Sequence, residues 1–92
     1  MIRTFRHRGL KRLYERGDPR GIRPDLRETI EDILARLDAA TTPQAMDVPG
    51  YRLHPLKGNL KGFWSVTVRA NWRIIFRLEG EDAFDVELTD YH

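Results

Sequence analysis

The sequence predicts an α+β fold in which a short strand and two helices precede an antiparallel meander of three or four strands. Apolar residues recur at the period of a helix in the first half of this 92-residue chain, and they alternate with polar residues in the second half. Short turn sequences separate the alternating segments, which indicates hairpins. We therefore expect the two helices to pack on the apolar face of the sheet.

The first half begins with a predicted strand from Ile2 to Phe5, where apolar and polar residues alternate. A short helix over residues 8–16 follows and ends at Gly17, since glycine readily forms a helix C-cap. The second helix starts at Pro24, because proline suits the first helical position. Its apolar residues form one stripe: Leu26, Ile30, Ile33, Leu34, Leu37 and Ala40.

The second half begins with a brief helix at Thr42 and Pro43 and an extended segment over residues 51–56. We place that segment at a sheet edge, because Pro55 lacks a backbone N–H. Three strands follow, over residues 63–69, 72–78 and 83–88. Alternation assigns Trp64 to the core and leaves Trp72 undecided. In the final strand it places three apolar residues on one face: Phe84, Val86 and Leu88.

Length and composition restrict the class of protein. A chain of 92 residues predicts a single domain over residues 1–92. Cysteine is absent, which excludes disulfides, thiolate metal sites and a cysteine nucleophile. The sequence has no apolar run long enough to span a membrane and no apolar segment typical of a secretion signal. We therefore expect a cytoplasmic protein with no membrane association.

Charge is strongly segregated along the chain. Residues 1–27 and 51–77 each carry a net charge of +6, whereas residues 28–50 carry −4 and residues 78–92 carry −6. Arginine supplies 13 of the 16 cations, and its planar guanidinium suits phosphate recognition. If the two basic blocks share one surface, they form the electrostatic footprint of a nucleic-acid partner. The alternative is that basic and acidic blocks pair and cancel.

Three short segments carry residues capable of chemistry. Residues 54–58 contain His54 and Lys57 beside a proline, residues 68–74 contain Arg69 and Arg73 around a hairpin turn, and residues 90–92 are Asp-Tyr-His. If both arginines lie in one groove, they can hold a phosphate. Taken alone, each segment is better explained as an ordinary solvated loop or strand end. No histidine spacing typical of a metal site is present, so we expect no metal and no cofactor.

The combined pattern resembles the HigB toxins, a branch of the RelE/ParE superfamily in bacterial toxin–antitoxin systems. The segments that carry the resemblance are Phe5-x-His7-x-Gly9-Leu10, Tyr51-x-Leu53-His54-x-Leu56-Lys57-Gly58, Trp64-Ser65-Val66-x-Val68-Arg69-x-Asn71-Trp72-Arg73 and Asp90-Tyr91-His92. This resemblance covers the whole chain and implies a RelE-like fold.

The resemblance implies an mRNA endonuclease that acts in the A site of the 70S ribosome and inhibits translation. It further implies a HigA-type antitoxin with a helix-turn-helix, and operator DNA bound only through the toxin–antitoxin complex. The implied catalytic residues are His54, Asp90, Tyr91 and His92. The implied RNA-binding residues are Lys57, Arg69 and Arg73. Such residues suit metal-independent attack by the RNA 2′-hydroxyl, because proton transfer needs only an acid and a base.

Two other functions compete with this interpretation. The first is a ParE-like toxin that poisons DNA gyrase with the same fold and no nuclease chemistry. The histidine and lysine set argues against it, since a poison needs neither an acid nor a base. The second is a non-catalytic nucleic-acid-binding protein or repressor subunit, which would show salt-dependent affinity without any cleavage product.

Overall fold

Two helices precede a four-stranded sheet in the structure, a computed structural model that describes residues 1–91. The helices are α1 (Arg8–Arg16) and α2 (Arg27–Ala39), and the strands are β1 (His54–Pro55), β2 (Phe63–Arg69), β3 (Trp72–Glu79) and β4 (Asp82–Asp90). The strand order is β1-β2-β3-β4, and each neighbouring pair is antiparallel. One turn of 3₁₀ helix forms at Pro43–Met46 and another at Gly58–Leu60. The predicted α+β class and its meander are therefore confirmed.

The core lies between the two helices and one face of the sheet. Fully buried residues from α1, α2 and the three long strands meet there: Leu10, Ile30, Ile33, Leu37, Val66, Ile74, Phe76 and Val86. Trp64 packs against this core as predicted, and Trp72, which the sequence left undecided, does so too. The other face of the sheet, which we call the open face, is turned away from the helices. Neither helix of residues 1–91 is long and apolar enough to cross a membrane.

Helix α1 is capped at both ends. The His7 Nδ1 atom accepts a hydrogen bond of 3.1 Å from the Leu10 N–H. At the other end Gly17 adopts a left-handed conformation with φ 66°, and its N–H donates to the Leu13 carbonyl. Both caps satisfy backbone groups that the helix leaves unpaired. The expected end at Gly17 is confirmed, and His7 has a structural role.

Helix α2 begins at Arg27, three residues later than the predicted start at Pro24. Residues 24–26 instead form a tight turn, in which the Leu26 N–H donates to the Arg23 carbonyl over 3.0 Å. The Leu26 side chain is buried in the core and anchors this turn. The apolar stripe predicted for the helix is otherwise in place, from Leu26 to Ala40.

The N-terminal segment pairs with β4 rather than forming a continuous strand. Two isolated parallel bridges join Ile2 to Ala83 and Phe5 to Val86. Between them the Asp85 N–H donates to the Thr4 Oγ1 atom over 2.8 Å, so a side chain interrupts the backbone ladder. The predicted strand from Ile2 to Phe5 is therefore reduced to these two bridges.

The same irregularity at Asp85 changes which residues of β4 face the core. Asp85 has a positive φ of 55°, and the pairing of β3 with β4 shifts by one residue there. Ala83 and Val86 are both fully buried as a result. Phe84 lies on the open face, where the Arg77 guanidinium covers its ring at 5.0 Å. The prediction that Phe84 shares a face with Val86 and Leu88 is wrong, because a bulge breaks simple alternation.

The edge strand is shorter than the predicted extended segment over residues 51–56. Regular pairing with β2 is limited to His54 and Pro55. Single backbone hydrogen bonds extend the contact on both sides, from the Thr67 N–H to the Tyr51 carbonyl and from the Leu56 N–H to the Phe63 carbonyl. The segment therefore lies along the edge of the sheet, as expected from Pro55.

Gly9 of α1 makes a backbone contact that no larger residue allows. A Cβ atom at Gly9 would lie 2.5 Å from the Gly21 carbonyl oxygen and 2.8 Å from a ring carbon of His7. We expect Gly9→Ala to lower the free energy of unfolding by about 1–3 kcal/mol, because a packed backbone cannot yield without strain. Thermal melting measures this, with Lys11→Ala at an exposed position of the same helix as the control. Equal melting temperatures for the two variants would contradict the contact.

A hydrogen-bonded carboxylate joins α1, α2 and the N-terminal segment. Asp38 Oδ1 accepts from the Tyr14 hydroxyl over 2.6 Å and from the Ile2 N–H over 2.9 Å. The bond to Asp38, together with burial, raises the pKa of Tyr14 to about 12. The same bond holds the pKa of Asp38 below its usual value of 3.8. Folding therefore favours the ionised Asp38 and the neutral Tyr14.

The stability of this junction should depend on pH at both ends of the scale. The contribution of Asp38 is present above its ordinary pKa and is lost as pH falls through its lowered folded-state pKa. The contribution of Tyr14 is present below pH 10 and is lost between pH 10 and about 12. We expect Tyr14→Phe to lower the free energy of unfolding by about 1–2 kcal/mol at pH 7 and by less at pH 2.

Urea unfolding at several pH values measures this difference between the variant and the parent protein. Tyr91→Phe is the matched control, since Tyr91 is half exposed and its hydroxyl has no partner in residues 1–91. A destabilisation by Tyr14→Phe that is identical at pH 2 and pH 7 would show that Asp38 is not the source.

Candidate functional site

His54 stands on the open face at the edge of the sheet. It pairs with Ser65 of β2, which pairs with Ile75 of β3, which in turn pairs with Glu87 of β4. Directly paired residues of antiparallel strands project to the same face, so these four form one row across the open face. His54 is exposed, whereas Ser65 and Ile75 beside it are buried. The imidazole therefore lies at the surface over a rigid part of the sheet.

The hydrogen bond of His54 fixes which ring nitrogen is available for proton transfer. Its Nδ1 atom lies 3.1 Å from the Arg52 carbonyl oxygen. A carbonyl only accepts, so Nδ1 carries the proton and the neutral ring presents the Nε2 lone pair. His7 has the opposite arrangement, since its Nδ1 accepts from a backbone N–H. Of these two histidines, His54 alone offers an exposed, oriented nitrogen to a substrate.

Arg73 lies in the next row of the open face, between Thr67 and Thr89. Its Nη1 atom donates to the Ala70 carbonyl over 2.6 Å and to the Trp72 carbonyl over 3.1 Å. The Nε atom and the other terminal nitrogen have no partner in the described part of the chain. The guanidinium is thus held at the hairpin turn while several N–H groups remain for a phosphate.

The same hairpin turn holds the segment that follows β4. The Tyr91 N–H donates to the Asn71 carbonyl over 2.7 Å, and Asp90 pairs with Trp72. Tyr91 is half exposed, and it is one of two large hydrophobic residues of residues 1–91 with this degree of exposure. The turn therefore brings the backbones of Arg73, Asp90 and Tyr91 close together. The Asp90 side chain, as the direct partner of Trp72, projects to the helix side of the sheet and not to the open face with Arg73. His92, the remaining predicted catalytic residue, lies outside the described residues.

Lys57 belongs to a second group of candidates, near β1. It is exposed and lies in the loop that follows the strand, three residues after His54. No carboxylate in residues 1–91 forms an ion pair with Lys57 or Arg73, and the same holds for Arg52 and Lys61. The unpaired cations near β1 and at the turn between β2 and β3 create a positive potential that favours an anionic ligand.

The candidates near β1, His54 and Lys57, are separated across the sheet from those at the turn between β2 and β3. His54 and Arg73 are two strands and two residues apart, which places their Cα atoms about 12 Å from each other in a flat sheet. Asp90 and Tyr91 lie on the far side of Arg73. His54 and Arg73 thus lie on an open surface rather than in a closed pocket. A surface of this length suits an extended polymer better than a small molecule.

Arg69 does not share a face with Arg73, contrary to the expected common groove. An extra residue in β2 shifts the register, so that Arg69 pairs with Trp72. The Arg69 guanidinium lies 3.7 Å from Asp25, in the loop before α2. Arg23 from that loop stacks over the Trp72 ring at 5.7 Å. Arg69 therefore lies on the helix side of the hairpin, and its role in RNA binding stays a prediction.

Two positioning residues of the site have no signal in the sequence. Arg52 adopts a positive φ of 52°, which presents its carbonyl to His54. Ala70 has a positive φ of 50° at the turn that holds Arg73 and Tyr91. Left-handed backbone conformations usually occur at glycine or asparagine. For other residue types they cost roughly 1–3 kcal/mol each. Neither an arginine nor an alanine in the sequence predicts a left-handed backbone conformation.

A known protein family matches almost the whole chain. Residues 3–92 match the family described as the RelE-like toxin of the type II toxin–antitoxin system HigB. The chain belongs to the HigB-like toxin family. The resemblance inferred from the motif residues is therefore confirmed.

Two curated relatives support this membership. The chain is 45% identical over 92 residues to the protein named Endoribonuclease HigB of Proteus vulgaris, and the match covers all of both chains. It is 34% identical over 82 residues to Toxin HigB-1 of Vibrio cholerae, covering 84% of this chain and 83% of that protein. The first of these matches spans both helices, the whole sheet and all of the candidate residues of the HigB-like toxin.

Two solved structures share the fold of this chain. A point mutant of YafQ from E. coli superposes with a TM-score of 0.65 at 19% identity, covering 98% of this chain and 91% of that one. YafQ itself gives a TM-score of 0.58 at 17% identity over the same shares of each chain. At such low identity these structures support the HigB-like fold alone.

Proposed function

We propose that this HigB-like toxin is an endoribonuclease that cuts mRNA in the A site of the 70S ribosome and thereby inhibits translation. The observation that carries the proposal is the oriented Nε2 atom of His54, exposed on a face whose nearby cations have no carboxylate partner in residues 1–91. The full-length relative from Proteus vulgaris named as an endoribonuclease supports the same activity.

The proposed reaction uses the 2′-hydroxyl of the RNA as its nucleophile. A base removes the 2′ proton as the 2′ oxygen bonds to phosphorus, and the bond from phosphorus to the 5′ oxygen breaks. An acid gives a proton to that leaving oxygen, so the products are a 2′,3′-cyclic phosphate and a 5′-hydroxyl. His54 Nε2 supplies one of these proton transfers, and His92 is the proposed partner. Two imidazoles suit both roles near neutral pH.

The remaining residues bind and orient the RNA. Negative charge accumulates on the phosphorus oxygens in the transition state, and the Lys57 ammonium and the free N–H groups of Arg73 are proposed to stabilise it. The half-exposed ring of Tyr91 is proposed to stack on a base, and Asp90 to orient a base or an imidazole. Arg69 is proposed to contact the RNA backbone outside the reacting phosphate.

The proposed partners follow from membership of a toxin–antitoxin family. A toxin of this family implies an antitoxin, which we propose to be of the HigA type with a helix-turn-helix. Operator DNA is then bound only through the toxin–antitoxin complex. Action on ribosomes places the protein in the cytoplasm.

Primer extension on an mRNA, with and without purified 70S ribosomes, tests the proposal. We expect cleavage within the coding region only when ribosomes are present. Cleavage should persist with a chelator of transition metals that leaves the ribosomal Mg²⁺ in place, since the reaction uses only side chains and the RNA. Products should carry a cyclic phosphate.

Three outcomes would contradict the proposal. Efficient cleavage of naked mRNA would remove the dependence on ribosomes. Inhibition of gyrase supercoiling without any RNA product would favour the ParE-like activity. Salt-dependent binding of nucleic acid with no product at any ribosome concentration would favour a non-catalytic subunit.

A further inference from the structure

A second group of unpaired cations covers the outer face of α1. Arg8, Lys11, Arg12 and Arg16 are exposed there and line a shallow cavity of about 300 Å³ together with Glu15. We call these four cations the α1 basic face. The opposite side of α1 carries Leu10 and Leu13, which are buried in the core. The α1 basic face therefore points away from the sheet, on the side of the molecule opposite His54 and Arg73.

These cations differ from most other arginines of the protein. Seven arginines form ion pairs with carboxylates: Arg3, Arg6, Arg20, Arg23, Arg27, Arg69 and Arg77. Within residues 1–91 no such pair includes a member of the α1 basic face. Asp18 lies near Arg12 in sequence, but both of its oxygens are bound by Arg20 at 2.8–3.1 Å. The positive charge of the α1 basic face is thus not neutralised by ion pairs within residues 1–91.

The neighbouring cations of the α1 basic face repel one another. Arg8, Arg12 and Arg16 are four residues apart, so they form a row along one side of the helix. Like charges at this spacing destabilise a helix by about 0.2–0.5 kcal/mol a pair. The first turn of α1 contains no acidic residue to offset Arg8. An external polyanion would relieve this repulsion.

We propose that the α1 basic face binds the phosphodiester backbone of structured RNA, independently of the open face. The row of three guanidiniums spans about 12 Å along the helix, since each residue rises 1.5 Å. That length allows contact with several successive phosphates of one strand. Guanidinium groups bind such oxygens in a forked geometry.

An acidic protein is a weaker match for this face. Protein interfaces generally contain an apolar centre surrounded by polar residues. The cavity on α1 is lined by four cations and one glutamate, without an apolar residue from the described part of the chain. Contacts to a sugar–phosphate backbone need no such centre.

The two cationic surfaces are separated by the thickness of the protein. The Cα atoms extend over 30 × 28 × 26 Å, and the helices and the sheet lie between the surfaces. One straight RNA segment therefore cannot contact both. This inference rests on the proposed function only in taking RNA as the polyanion, with mRNA on the open face and a second RNA segment on α1.

Binding measurements on matched triple variants test the inference. The test variant is Arg8→Gln/Arg12→Gln/Arg16→Gln, which removes the row from exposed helical positions. The control is Arg3→Gln/Arg20→Gln/Arg27→Gln, which removes the same charge from arginines that already have carboxylate partners. The probes are vacant 70S ribosomes and an isolated RNA duplex of about 16 base pairs, each titrated between about 50 and 200 mM salt. Thermal melts establish that both variants are folded.

We expect the test variant to bind at least one probe about 10-fold more weakly, with a salt slope reduced by about 2–3, because each lost phosphate contact lowers the slope by about 0.9. The control should stay within about 2-fold of the parent. Weakening with both probes supports general backbone binding, and weakening with ribosomes alone identifies ribosomal RNA as the source. Equal affinities and slopes for the two variants would overturn the inference. Unchanged RNA binding with weakened binding of the antitoxin would also overturn it.

These measurements are independent of the cleavage reaction. They use vacant ribosomes and a duplex, so no product is formed or required. A failure of the proposed nuclease activity would appear as absence of cleavage with RNA binding intact. A failure of the inference would appear as unchanged RNA binding by the test variant, whatever the cleavage result.

Discussion

His54→Gln should lower the rate of mRNA cleavage on programmed ribosomes by about 100- to 10,000-fold, the usual contribution of a general acid or base. Glutamine retains a polar side chain of similar length, but it has no group that titrates near neutral pH. The position is exposed on an edge strand, so the thermal melt should change little. Single-turnover cleavage at saturating ribosomes measures the chemical step.

His7→Asn is the matched control for this substitution. Asparagine can accept the hydrogen bond that His7 Nδ1 receives at the start of α1, so the cap is retained. We expect this variant to cleave at close to the parental rate, since His7 belongs to the helix and not to the open face. A folded His54→Gln protein with the parental rate would remove His54 from proton transfer and assign that role to His92.

Arg73→Gln and Lys57→Gln should each slow cleavage by about 100-fold or more, the usual effect of removing one group that stabilises transition-state charge. The loss should appear in the maximal rate as well as in ribosome affinity, because the interaction is strongest when charge accumulates at phosphorus. Both side chains lie at the surface, and neither forms an ion pair within residues 1–91. Folding should therefore be preserved.

Arg69→Gln is the control that the structure provides for Arg73. Both are arginines of the same hairpin, yet Arg69 lies on the helix side next to Asp25. We expect a decrease in cleavage of less than about 10-fold, mainly through affinity, because a contact outside the reacting phosphate does not strengthen in the transition state. A loss from Arg69→Gln as large as that from Arg73→Gln would show that the RNA follows the helix side of the hairpin instead.

The sequence predicted those parts of the fold that depend on local patterns. The helix over residues 8–16 has a glycine at its end, and the apolar stripe of α2 has helical spacing. The predicted hairpin turns at residues 70–71 and 79–82 separate segments with strand-like alternation. In each case neighbouring residues contain the whole signal, so no knowledge of distant contacts is required.

The errors occur where distant residues decide the local geometry. Asp85 takes a left-handed conformation beside Thr4, which is 81 residues away in the chain. The resulting bulge moves Phe84 to the open face, and no pattern within β4 indicates it. A bulge in β2 likewise separates Arg69 from Arg73. A bulge adds one residue to one strand of a pair, so every later side chain of that strand changes face. The alternation of apolar and polar residues in the sequence does not show where this happens.

The candidate site was predicted by residue identity and not by geometry. The motif residues indicated His54, Lys57, Arg73 and the segment from residue 90. Their grouping depends on the Arg52 carbonyl and on the 70–71 turn, whose unusual backbone angles belong to Arg52 and Ala70. An arginine or an alanine carries no preference for such angles, so this support is visible only in the folded protein.

The parallel bridges between the N-terminal segment and β4 affect when the protein can fold during its own synthesis. Ile2 and Phe5 leave the ribosome early, but each partner, Ala83 or Val86, follows 81 residues later. Ile2 and Ala83 are both buried, so the core stays incomplete until the later strand emerges. Contacts between residues so far apart in the chain generally form slowly. Folding of this toxin is therefore completed only after β4 has been synthesised, and not when the N-terminal segment first emerges.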